Sequence, residues 1–260
     1  MAAAYAGAEN IITSLGFDAQ ENYHNILKGI SGIKIDQSHH FSPGDLPLSI
    51  VDEQRLVAAT DEIYRKNFTR LELMFILSIQ DVIRKSKVDM RSPDSLFVFT
   101  STKGNIILLD SRIHTSVSRE RTGLMKMADT ISSHFNNPVK PVMVSNACVS
   151  GVAGLIYATR LVQSGKYKNI IVSGGDEVSE FIVSGFQSFQ SLSSKPCRPF
   201  DKSRDGLTLG EGIGSILISS DPGVFLEEAP VKVLGGSSSN DANHISGPSR
   251  TGAGLQIAIR

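Results

Sequence analysis

The chain has two cysteines, Cys148 and Cys197, and Cys148 stands where a thiol can react. Val142-Met143-Val144 reads as a short strand. The small-residue stretch Ser145-Asn146-Ala147-Cys148-Val149-Ser150-Gly151 follows, and then an apolar helix. A helix start offers unpaired amides and the positive end of the dipole, which favour a thiolate. A thiolate there suits acyl transfer through a thioester. Ala147, Ser150 and Gly151 would let a substrate carbonyl approach the backbone, where an amide could donate to a developing oxyanion. Free cysteine also commonly fills buried space, so residue type alone leaves both readings open. Cys197, between Pro196 and Arg198, reads as a packing or surface residue.

The elements around Cys148 alternate. Leu96-Phe97-Val98-Phe99, Ile170-Ile171-Val172 and Ile216-Leu217-Ile218 read as buried strands, like Val142-Met143-Val144. Ile106-Ile107-Leu108-Leu109 is ambiguous. Thr69 and Glu72 form a capping box. It opens a helix with apolar residues at Leu71, Met74, Phe75, Ile79, Val82 and Ile83. Leu124, Ala128, Ile131 and Phe135 predict a second helix. Val149 to Gln163 has almost no polar face and reads as a buried helix, ended by Ser164-Gly165. Strands alternating with helices predict an α/β fold with a largely parallel sheet. Residues 223–230 read as a seam.

Composition narrows the function classes. The chain has 260 residues, 40% of them hydrophobic, with 26 basic and 26 acidic side chains. That is a globular composition, without the net positive charge of a nucleic-acid binder. No apolar run is long enough to span a membrane, and the N-terminus carries no signal peptide features. Two cysteines make neither a disulfide framework nor a zinc set, so a cytoplasmic location is expected. No dinucleotide or Walker loop and no metal-ligand spacing is found, so no bound cofactor or metal is expected.

Several motifs together resemble the β-ketoacyl-acyl carrier protein synthases of the thiolase superfamily. They are Asn146-Ala147-Cys148 before its helix, Ser173-Gly174-Gly175-Asp176-Glu177, and Gly185-Phe186 with Ser191-Leu192-Ser193. The most specific is Arg198-Pro199-Phe200-Asp201-Lys202-Ser203-Arg204-Asp205-Gly206 with Gly210-Glu211-Gly212-Ile213-Gly214. Asn240-Asp241-Ala242-Asn243-His244 and Ser246-Gly247-Pro248 resemble a later segment. Residues 11–16 and 27–33 resemble the opening strand and helix, while residues 36–95 diverge.

The resemblance implies a thiolase-like layered α-β-α-β-α fold. Residues 1–225 would form the N-terminal half with the nucleophile, and residues 226–260 the start of a C-terminal half, with Val231-Lys232-Val233-Leu234 as its first strand. It implies acyl transfer to Cys148, then decarboxylative condensation with malonyl-carrier protein to a 3-ketoacyl product in fatty acid or polyketide synthesis. Phe186 would lie along the acyl tunnel, although an apolar aromatic suits core packing equally well. The charges from Arg198 to Glu211 would hold a loop beside the site. Phosphopantetheine would arrive on an acidic acyl carrier protein, for which Arg65, Lys66 and Arg70 are a candidate docking patch, and the complete protein would be a homodimer or heterodimer.

Departures from the family pattern are also legible. Val149 follows the cysteine where a small or hydroxyl residue is usual, and Leu207 replaces an aromatic. The family's two histidine motifs for decarboxylation, His-Gly-Thr and Gly-His, are missing. His24, His39, His40, His114, His134 and His244 all read as surface or packing residues. Residues 252–260 look like the opening turns of a helix without a C-cap. The chain is therefore read as the N-terminal part of a longer protein, inactive in condensation by itself. Two other readings remain beside the enzyme: a non-catalytic chain-length or scaffold subunit of a heterodimer, which would usually lack the cysteine, and an unrelated cysteine acyl hydrolase, which would need a histidine near Cys148.

Overall fold

The computed structural model describes residues 2–226, 229–240 and 251–259. The segment 241–248, with His244, lies outside them. In chain order the first half of the elements are β1 (Ala4–Thr13), α1 (Ala19–Leu27), β2 (Lys34–Asp36), β3 (Leu46–Ser49), α2 (Glu53–Ala59), α3 (Glu62–Asn67), α4 (Arg70–Arg84) and β4 (Ser95–Thr100). Then come α5 (Leu124–His134), β5 (Val142–Val144), α6 (Ser150–Gln163), β6 (Asn169–Asp176) and α7 (Glu180–Ser188). The last are β7 (Leu209–Gly210), β8 (Gly212–Ser219), β9 (Val231–Val233) and α8 (Ala253–Ile259). The ambiguous Ile106–Leu109 run is a 3-10 turn.

A six-stranded sheet carries the order β5-β4-β6-β8-β1-β9, and a small second sheet joins β2, β3 and β7. The expectation of a largely parallel sheet is corrected. β4 is parallel to β5 and β6, but β6–β8, β8–β1 and β1–β9 are antiparallel. Only the crossovers through α5 and α6 return the chain in the same direction, as a helical connection allows. Val231-Lys232-Val233, read as the start of a second half, forms β9 at the edge of this sheet beside β1.

The period of two along each strand assigns side chains to two cores. Phe97 and Phe99 of β4, Ile171 of β6 and Leu217 of β8 pack with Phe75, Met74 and Ile79 of α4 and with Met127 and Ile131 of α5. Leu96, Val98, Ile170, Val172 and Ile218 face the other way, toward Ala158 and Val162 of α6. The result is a helix–sheet–helix sandwich. Fully burying each such side chain contributes about 1.5–3 kcal/mol. α4 begins as read: Glu72 N–H donates to Thr69 Oγ1 at 3.1 Å, and the Glu72 carboxylate accepts from Thr69 N–H at 2.8 Å.

α6 does not match its expected burial. It begins at Ser150, and only Ser150, Gly154, Ala158, Thr159 and Val162 are buried. Val149, Val152 and Tyr157 are exposed. An apolar composition shows that a helix seeks cover, and the sheet covers one side of this one.

The helix reaches the sheet through Gly154. A Cβ there would lie 2.5 Å from Thr100 Cγ2, with Val172 and Val98 methyls at 3.4 and 3.6 Å. Gly151, one turn earlier, has nothing within 4 Å of such an atom. Gly154→Ala is therefore expected to destabilise the fold by about 1–3 kcal/mol through overpacking. Gly151→Ala should remain within about 0.5 kcal/mol of the parent or exceed it. Urea denaturation midpoints of the two variants check this, and equal midpoints would show that α6 does not pack this closely.

Candidate active site

The carboxyl ends of the three parallel strands converge on one edge of the sheet, where open α/β sheets commonly bind ligands. Thr100 ends β4 and Ser101 to Lys103 follow it, Ala147 and Cys148 follow β5, and Asp176 ends β6 with Glu177 and Val178 after it. All of them line one cleft of about 780 Å³. Leu155 of α6 and Ile182 and Phe186 of α7 add apolar wall. Both residues singled out from the sequence, Cys148 and Phe186, thus reach the same cavity. Phe186 is half-buried and Cys148 is exposed.

A strained turn presents Cys148. Ala147 adopts φ 45°, the left-handed region that residues with a Cβ seldom occupy. Ser150 holds the turn from the helix side: its hydroxyl accepts from Asn146 N–H at 2.7 Å and donates to Ala147 C=O at 2.7 Å. No side chain caps the N-terminus of α6, so the dipole end meets the cleft through its backbone. Such an end can stabilise negative charge on an attacking sulfur or on a carbonyl oxygen. No glycine marks position 147, so nothing in the sequence announced the left-handed turn.

Asp176 fixes the opposite lip. Its carboxylate accepts from Ser101 Oγ at 2.6 Å, from Thr102 N–H at 3.0 Å, from Thr102 Oγ1 at 3.0 Å and from Lys103 N–H at 3.2 Å. The loop after β4 is thereby tied to the end of β6. The motif Gly174-Gly175-Asp176-Glu177 was visible in the sequence, but its partners lie more than seventy residues away and were not.

Behind this lip sits a buried ionic cluster. Arg70, at the start of α4, contacts Glu211 at 2.9 Å, Glu53 at 2.7 Å and Glu177 at 3.6 Å. Glu211 also accepts from Val51 N–H and Val178 N–H at 2.9 and 3.2 Å. Burial disfavours charge on Arg70, yet the Glu211 and Glu53 carboxylates hold its pKa above the usual arginine value. Glu177 is the odd member. Neither of its buried oxygens has a hydrogen-bond donor. Burial pushes its carboxyl up to about 8; Arg70 opposes this and Glu211 adds to it.

This cluster takes Arg70 out of the expected docking patch. Arg70 is committed to the buried Glu211 and Glu177 and to the exposed Glu53. Arg65 donates to the Val57 and Thr60 carbonyls, and Lys66 pairs with Glu62 at 2.7 Å. Local sequence showed three neighbouring cations, but Arg70 and Lys66 meet carboxylates, while Arg65 keeps its charge beside backbone carbonyls. The reading of the 198–211 charges as structural has geometric support: Arg198 bonds Ser203 at 2.9 Å, Asp205 accepts from Ser193 at 2.8 Å, and Glu211 holds Arg70.

No histidine among the described residues lines the cleft. His134 packs edge-on against Tyr64, Phe68 and Phe135, and burial lowers its pKa. Cys197 is half-buried, and its N–H donates to Thr208. Among the described residues no cluster of three or more potential metal ligands occurs, and no helix is long and apolar enough to cross a membrane.

Residues 10–222 match the family model for the beta-ketoacyl synthase N-terminal domain. The chloroplastic 3-oxoacyl-[acyl-carrier-protein] synthase II of Arabidopsis thaliana is 25% identical over 275 residues, covering 95% of this chain and 50% of that protein. The 3-oxoacyl-[acyl-carrier-protein] synthase 2 of Staphylococcus aureus is 23% identical over 280 residues, covering 96% and 67%. The chain thus spans about half the length of the first relative and two thirds of the second. Among solved structures, a chain of the complex of the ketosynthase ApeO with its chain length factor ApeC from Xenorhabdus doucetiae superimposes with TM-score 0.79 at 23% identity. The match covers 99% of this chain and 66% of that one. A beta-ketoacyl synthase from Burkholderia phymatum gives 0.78 at 19%, covering 100% and 70%. These likenesses show a thiolase-like α/β fold.

Glu177 yields a pH prediction. Its folded pKa, about 8, stands above the ordinary 4.5, so the fold favours the neutral acid. That stabilisation is complete below about 4.5 and is lost as pH rises toward 8. Melting temperatures of the parent and Glu177→Gln, measured at pH 5, 7 and 9, should show the parent losing more stability across this range. Parallel curves would mean that Glu177 keeps its charge in the fold.

Proposed function

The chain belongs to the β-ketoacyl synthase family, and on that premise we propose that it carries the acyl-accepting part of a 3-oxoacyl-[acyl-carrier-protein] synthase. Cys148 is the nucleophile. Its sulfur attacks the carbonyl of an acyl thioester, and the acyl group moves onto Cys148 while the carrier's thiol leaves. Amides at the start of α6 receive the negative oxygen that develops during attack. The acyl chain runs along the apolar wall that includes Phe186. A malonyl unit then loses carbon dioxide, and the resulting carbanion attacks the thioester to give the 3-ketoacyl product. The described residues around the cleft supply the acyl-transfer step; no histidine among them is available for the decarboxylation.

The observation that carries this reading is the pairing of an exposed thiol, held on a strained strand–helix turn, with an apolar cleft at the strand ends. The two curated relatives carry names of the same activity. The partners are an acyl carrier protein bearing phosphopantetheine and a second synthase-type subunit, identical or not.

A second reading has a specific observation in its favour. Two of the similar solved structures contain a ketosynthase together with a chain length factor, so this chain could be the non-catalytic member of such a pair. The retained Cys148 favours the catalytic member.

The readings separate on one experiment. Incubated with an acyl-carrier protein, the protein should gain the mass of the acyl group on the peptide containing Cys148, and Cys148→Ala should abolish the gain. Labelling that persists in Cys148→Ala would refute the nucleophile assignment. No labelling of the parent would favour the non-catalytic subunit.

A further inference from the structure

The polar groups of the Cys148 cleft are almost all spent within the protein. Ser101 and Thr102 donate to Asp176, whose carboxylate is occupied by them. Asn10 donates to Asp81 at 2.8 Å. Ser215 shares hydrogen bonds with Ser78 and Ser173, both at 2.7 Å. Ser150 is committed to its own turn. Lys103 differs from these. Among the described residues it is the one basic residue lining the cleft, and its backbone N–H is fixed to Asp176. Its ammonium has no ion pair or hydrogen bond among the described residues. The same cleft has apolar walls, with Leu155, Val172, Ile182 and Phe186.

Apolar walls take up methylene groups, and an uncommitted cation on a fixed loop takes up a charge at their end. We propose that Lys103 selects acyl thioesters whose acyl group ends in a carboxylate. The proposal rests on the function assigned above and adds the substrate class. In the acylation step the bond from Cys148 Sγ to the acyl carbon forms. The carbon–sulfur bond of the donor breaks, and the Cys148 proton passes to the departing sulfur. The ω-carboxylate is unchanged and pairs with the Lys103 ammonium. Glu9, Asp176 and Glu177 also line the cleft and set a requirement for this cation. Without it, no charged side chain of opposite sign in the cleft lining would meet an entering carboxylate.

Glutaryl- and valeryl-N-acetylcysteamine test the idea, because they match in length and differ in the terminal carboxylate, and neither carries a phosphate. The readout is the ratio of their acylation rates at Cys148, followed by intact-protein mass. The parent should favour glutaryl, and the preference should shrink as salt rises. Lys103→Met should lower the ratio roughly fivefold, the scale of a partly exposed ion pair, and Lys103→Arg should retain it. Acylation by both donors with a ratio unchanged in Lys103→Met overturns the proposal alone. So does a Lys103→Met effect that appears only when valeryl is carried on phosphopantetheine, because the cation would then serve the arm. Acylation by neither donor overturns the function reading and the proposal with it.

Discussion

The site depends on how closely α6 lies on β4. Gly154 lets the helix backbone approach Thr100, and that approach aims the helix start at the strand ends. β4 can accept it because its four apolar side chains alternate between two cores. Phe97 and Phe99 serve one face, and Leu96 and Val98 the other. With both faces filled, β4 is fixed in height and register, and Cys148 inherits that position through β5 and α6. The left-handed Ala147 is tolerated because Ser150 and the helix behind it over-determine the turn.

Electrostatics shape the other side of the cleft. Asp176 gathers four donors from the loop after β4, so the lip is pinned by charge-assisted hydrogen bonds. Arg70 faces the buried Glu211 and Glu177 and the exposed Glu53, so the carboxylates outnumber its single charge. Glu177 is left neutral because no donor is available to support its charge. The segment from Asp176 to Val178 therefore joins the cleft wall to a cluster whose protonation changes near neutral pH.

What was legible in the sequence was local. The β4, β5, β6 and β8 runs carry their own pattern, the Thr69–Glu72 box sits within one turn, and Cys148 follows a strand and precedes a helix. What was not legible depended on distant pairing. β1 lies antiparallel to β8 across most of the chain, which no window of residues can reveal, so the sheet was expected to be more parallel than it is. Arg70 meets Glu211 from far along the chain, so it was read as a surface cation. The apolar composition of α6 was visible, but composition does not say which side of a helix is covered. Ala147 has no glycine to betray its φ.

The central claim is that the cleft at the strand ends holds an acyl group bound to Cys148. A crystal structure of the protein after reaction with a medium-chain acyl thioester tests it most directly. The account predicts continuous density from Cys148 Sγ into the cleft, with the chain against Leu155 and Phe186. An acyl group turned outward to solvent, or attached elsewhere with Cys148 free, would contradict it.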